Sequence, residues 1–171
     1  IPRQFLASPP LLNEEFTLEN IEQRLNTGQF SAIHWKTHGI FSSDPTGTYL
    51  VTYRNTINAN ILNQLVQNSR QRRGEPLEFM ALSACETAQG DNRAILGLAG
   101  LAVRAGARST LSTLWRAEDN ANTRLMADFY KFLQQGETKA KALQQAQLKL
   151  LNEGYAAPYY WATYVLVGNW L

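Results

Sequence analysis

Thiol and imidazole are scarce in this chain: its 171 residues include one cysteine, Cys85, and two histidines, His34 and His38. A single cysteine excludes an internal disulfide and any thiolate-rich metal cluster. A lone thiol also fits a reducing compartment, hence a cytoplasmic location, better than secretion. No metal site is expected, because His34 and His38 are four apart in a β-type run and lack the helix and third acid that a two-histidine site needs. Charge of one sign is equally scarce. Sixteen basic against 14 acidic residues leave +2, with no dense basic stripe for nucleic acid to grip. No apolar run approaches the ~20 residues of a membrane span, and no signal peptide precedes the first element. The chain starts at Ile1 rather than Met and reads as a portion of a longer one.

Apolar residues supply 44% of the sequence, enough for one domain with a proper core. Leu11 and Leu12 read as the end of a short strand. Thr17 is a helix N-cap, with Leu18, Ile21 and Leu25 on one face and Gly28 as the stop. Phe30–Thr37 reads as a strand, 40–47 as a loop, Tyr49–Tyr53 as a short strand and Ala59–Val66 as a helix. A polar connector, 67–76, then carries Arg70, Arg72 and Arg73. Leu77–Ala84 is almost wholly apolar, as a strand buried on both faces requires. Helix 94–105, strand Ser109–Trp115, helices 121–134 and 138–151, and a last strand Ala162–Val167 after Pro158 complete the pattern. Strands alternating with helices predict an α/β fold with a largely parallel sheet. Ligands bind beyond the carboxyl ends of such strands. His38, Cys85 and the 115–119 segment each follow a strand, so all three are expected on one rim.

A thiol attacks carbonyls as the thiolate, and a neighbouring imidazole can take its proton and return it to a leaving amine. Backbone amides commonly stabilise the developing oxyanion. Gly39 allows a sharp turn and brings a bare N–H close to substrate, and Cys85 can supply the second. His38 and Cys85 therefore form a candidate dyad, with Gly39 and Cys85 as the candidate oxyanion hole. The plain alternative for a lone cysteine after a strand is a small buried hydrophobe.

Two blocks, Thr37-His38-Gly39 and Leu82-Ser83-Ala84-Cys85-Glu86-Thr87, resemble the signatures of CHAT domains, caspase- and separase-related peptidase domains often attached to tetratricopeptide repeats. The similarity continues through Gly97-Leu98-Ala99, Ala105 to Ser109, Leu114-Trp115 with Asp119, Ala142 to Gln147 and Pro158 to Ala162. The separation of His38 and Cys85 is close to the ~50 positions of caspases. Thr87, where caspases proper carry Gly, sets the chain apart from them but not from CHAT domains.

The resemblance implies a caspase-like sandwich, a mostly parallel central sheet flanked by helices, here expected to lack the first strand and helix. It further implies a cysteine endopeptidase with no cofactor, acting on protein substrates and governed by an upstream regulatory region such as tetratricopeptide repeats, without nucleic-acid or membrane partners. Asp119 resembles the separase acid that receives an arginine before the scissile bond; its plain alternative is to cap the helix beginning near Ala121. Asp44 and Asp91 lie on loops at the same rim as further candidates for a basic side chain, or as solvated acids. His34 is expected to point to the other face of its strand or to pack in the sheet, about 13 Å down the strand from His38 at ~3.3 Å per residue. Trp115, Tyr159, Tyr160 and Trp161 read as packing, or as a substrate wall. The arginines of 67–76 read as a solvated surface, or as a self-cleavage site. Two rivals stand: a catalytically silent scaffold of the same fold, and a flavodoxin-like or nucleotide-binding module. The latter lacks the GxGxxG or GK[ST] loop that it needs.

Overall fold

A computed structural model describes residues 8–28, 30–41, 47–83, 86–87, 100 and 102–171. Thr17 opens α1 (Leu18–Thr27), its hydroxyl accepting from the Asn20 amide at 3.2 Å, and Ile21 and Leu25 face inward. Eight strands follow among the described residues: β1 (Ala32–Lys36), β2 (Gly39–Phe41), β3 (Tyr49–Thr52), β4 (Asn55–Asn58), β5 (Phe79–Ser83), β6 (Glu86–Thr87), β7 (Ser109–Thr113) and β8 (Tyr164–Gly168). Between them lie α2 (Ala59–Arg73), α3 (Asp119–Gln134), α4 (Lys139–Asn152) and the single turn α5 (Pro158–Trp161).

The strands form two sheets. In the main one, ordered β1-β5-β7-β8, the first two pairings are parallel and the last antiparallel. This is the expected α/β architecture, a mostly parallel sheet flanked by helices. A second, small sheet has the order β4-β3-β2-β6. The alternation of β5 sets the layers. Met80 and Leu82 enter the core beneath α1 and α2, while Phe79 and Ala81 enter the opposite core beneath α3 and α4. Every residue of β5 and β7 is buried, as a strand covered on both faces should be. No helix among the described residues is long and apolar enough to cross a membrane.

Several local expectations are corrected. Residues 8–12 hold no strand; a 3-10 turn, Asn13–Glu15, follows them. The supposed connector 67–76 is mainly the second half of α2. Gln and Arg are good helix formers, and nothing breaks the helix before Gly74, whose φ of 72° ends it. Arg73 is tied by its guanidinium to the Phe30 carbonyl at 2.5 Å, so this stretch is neither a loop nor an extended segment that a protease would accept. Ile40 and Phe41, expected to open a loop, join Gly39 in β2, and β4 was not expected at all. Pro158 opens α5 at its first turn, where its missing N–H costs nothing. Most of helix 94–105 lies outside the described residues; 102–104 are helical.

Candidate active site

The register of the main sheet brings the carboxyl ends of β1, β5 and β7 level with one another. Lys36, the last residue of β1, pairs with Ser83, the last of β5, and Leu82 pairs with Ser112 near the end of β7. His38 lies two residues beyond Lys36, exposed, in the link to β2. Its backbone is fastened on two sides. The Thr37 amide donates to the Ser83 carbonyl at 3.2 Å, and the His38 carbonyl accepts from the Val51 amide at 2.7 Å. The Thr37 hydroxyl adds a 2.5 Å bond to the Val51 carbonyl.

Gly39 begins β2 opposite Leu50. Because the Val51-to-His38 bond flanks that pair, Gly39 and Leu50 occupy a non-hydrogen-bonded position of the antiparallel ladder. The Gly39 amide is therefore not spent on β3 and turns to the other side of β2, where β6 runs parallel with Ile40 opposite Glu86.

Cys85 lies outside the described residues, as do Asp44 and Asp91. Ser83, two residues before Cys85, and Glu86, directly after it, are described: Ser83 pairs with Lys36 and Glu86 with Ile40. The two chain segments that carry His38 and Cys85 are thus joined side by side both before and after those residues.

A groove of about 1070 Å³ runs along β1 and over this rim, with His34, Lys36, His38, Ser83, Asp119 and Asn122 among its lining. Asp119 is the first residue of α3, its side chain 88% exposed and 3.1 Å from the Lys36 ammonium. The cap of α3 is not Asp119 but Glu118, whose carboxylate accepts from the Ala121 amide at 2.7 Å. Trp115 donates from its indole to the Tyr159 carbonyl at 2.9 Å. Tyr155, Tyr160 and Tyr159 stack edge to face in succession. Tyr160 and Trp161 pack against the core beneath α3 and α4, whereas Tyr159 is 49% exposed.

His34 is exposed at the groove rather than packed away in the sheet, in company that spacing does not reveal. Its Nε2 is 3.0 Å from the Ser83 hydroxyl, and its ring lies 5.7 Å from that of Tyr130 on α3. Part of the imidazole surface opens on the groove. Even so, the atoms packed round it strip water from the charged form, and with the nearby Lys36 charge they lower its pKa to about 4. Burial pushes the Tyr130 hydroxyl the other way, well above its usual value, and Tyr164 adds to the rise. Beyond Ser83 the polar contacts continue to Tyr164 and Asn122. Ser83 had a signal in the sequence, its place two residues before Cys85; Asn122 and Tyr164 had none.

No curated protein matches this chain. Residues 3–169 match the model of the CHAT domain, a caspase-like, peptidase-related family. That match covers nearly the whole chain, and with the parallel sheet and its rim already in view, the chain belongs to the CHAT domain family.

Proposed function

We propose that the chain is a cysteine endopeptidase in which His38 and Cys85 form the catalytic dyad. The observation that carries this reading is the paired register on either side of Cys85, Ser83 with Lys36 and Glu86 with Ile40. Since adjacent Cα atoms are ~3.8 Å apart, a residue one step from Glu86 stays near the link that bears His38. In the first step the Cys85 thiol gives its proton to the His38 imidazole as sulfur bonds to the scissile carbonyl carbon. The resulting oxyanion accepts from the Gly39 and Cys85 amides; the Gly39 N–H, turned away from β3, supports that role. Collapse breaks the C–N bond, His38 returns the proton to the leaving amine, and a thioester remains on Cys85. Water, deprotonated by His38, then releases the acid and restores the thiol. The single thiol of the chain fits a reducing, cytoplasmic setting, and an upstream region of the parent protein is the regulator we expect.

The reading extends to a basic residue before the scissile bond, received by Asp119 and assisted by Asp44 and Asp91. A guanidinium prefers a carboxylate that it can grip in bidentate fashion. Because Lys36 already holds Asp119, substrate has to displace it. Asp119→Asn is therefore expected to lower kcat/KM for arginyl peptides several-fold, and Lys36→Gln to raise it. Equal cleavage of arginyl and neutral peptides by wild type and both variants removes Asp119 from the specificity pocket.

The dyad is tested with a basic peptidyl ketone electrophile, read by mass at Cys85, alongside hydrolysis of a fluorogenic arginyl peptide. Labelling and turnover are expected in wild type and lost in Cys85→Ala and His38→Ala. Turnover retained by Cys85→Ala would falsify the dyad. Neither labelling nor turnover in wild type supports the silent-scaffold alternative instead.

A further inference from the structure

Four side chains from four elements meet in one line beneath the rim. Tyr164 of β8 donates its hydroxyl proton to Asn122 Oδ1 on α3 at 2.5 Å. A phenol has one proton to give, so the 2.5 Å contact between Ser83 and Tyr164 has the serine as donor. The Ser83 oxygen then accepts from His34 Nε2 at 3.0 Å. The result is a chain running one way, from imidazole to serine to tyrosine to amide, with each hydroxyl both accepting and donating.

Ser83, Asn122 and Tyr164 are 7%, 7% and 4% exposed. Burying such groups costs free energy unless they are paired, and well-packed apolar residues generally serve stability as well. What a directional chain adds is register, since each partner fixes the rotamer of the next. Its location matters as much. It crosses the sheet at the last row before the rim, where Lys36 pairs with Ser83 and Thr113 with Tyr164. Ser83 also holds the Thr37 amide with its carbonyl. One residue thereby connects the chain, the exit of β1 toward His38 and the exit of β5 toward Cys85.

We propose that His34, Ser83, Tyr164 and Asn122 are positioning residues of the peptidase site, fixing the end of β5, and with it Cys85, against His38 without touching substrate. This rests on the peptidase reading above. Loss of any link frees the end of β5 to shift, weakens the pairing of thiol with imidazole and leaves the thiol closer to an ordinary one, with a pKa of ~8.5.

The test is the rate of Cys85 alkylation by iodoacetamide in the whole chain between pH 5 and 9, which needs no substrate and reads the only thiol present. His38→Ala reports whether the dyad exists. Ser83→Ala and Tyr164→Phe, the second preserving bulk where the first could fail to fold, are each expected to slow the reaction at pH 6.5 about tenfold and move the profile toward that of a free thiol. The double variant is no slower than either single one, because both break the same chain, and Ser83→Thr restores the rate. Ser109→Ala is the control. It removes a buried hydroxyl that bonds the Glu78 carbonyl at 2.9 Å at the opposite end of the sheet, so it should lower Tm and leave the profile alone. If His38→Ala slows alkylation while folded Ser83→Ala and Tyr164→Phe keep the wild-type profile, the positioning role is wrong and the dyad stands. A Ser109→Ala effect as large as theirs also overturns it, as general loosening of the sheet. If His38→Ala changes nothing, it is the dyad that fails.

Discussion

His34 and His38 stand four residues apart, both exposed, and meet different neighbours. His38 is exposed beyond the end of β1. His34 is hemmed in by Lys36 on its own strand, Ser83 on β5 and Tyr130 on α3. With its pKa lowered from 6.5 to about 4, the unfolded chain binds more protons than the folded one between those values. Stability therefore rises with pH across that window, is fully present above about 6.5, and is lost as pH falls toward 4. His34→Gln keeps a donor for Ser83 but does not titrate. Urea unfolding at pH 4.5, 5.5 and 7 is expected to show a smaller acid loss in the variant than in wild type; identical slopes would place the neutral-histidine account in error.

At the scale of elements, Asn58 does two jobs at the corner between β4 and α2. It pairs with Tyr49 across the small sheet, and its side chain accepts from the Ile61 amide at 3.0 Å as the N-cap of α2. Asn58→Ala should cost about 1 kcal/mol, the usual worth of such a cap, measured as a lower urea midpoint with unchanged slope. Neither β4 nor that cap was legible in the sequence. Asn55-Thr56-Ile57-Asn58 places a single apolar side chain inward, and its strand state comes from pairing with β3 rather than from a hydrophobic pattern. Strand β5 was readable for the opposite reason, since four consecutive apolar residues leave few other arrangements. The same contrast divides the site. The rim follows from parallel strands and could be foreseen, whereas Ser83 and Tyr164 are 81 positions apart and only the antiparallel return of β8 brings them together.

For the whole molecule, β5 is the wall shared by two cores, Met80 and Leu82 on one side, Phe79 and Ala81 on the other. Damage on one side is therefore expected to be felt on both. Phe129 is fully buried on α3, its ring 5.5 Å from that of Phe79, and Phe129→Ala should cost about 3–5 kcal/mol through the cavity it leaves. Far-UV and near-UV circular dichroism should still report one coincident transition; two separated transitions would show that the layers melt independently.

The antiparallel course of β8 has a practical corollary. Tyr164 starts it beside Thr113 at the groove, and Gly168 finishes it beside Ser109 at the far edge, with Trp170 and Leu171 exposed there. A fluorophore, purification handle or immobilising surface attached after Leu171 sits across the full height of the sheet from His38, clear of the groove.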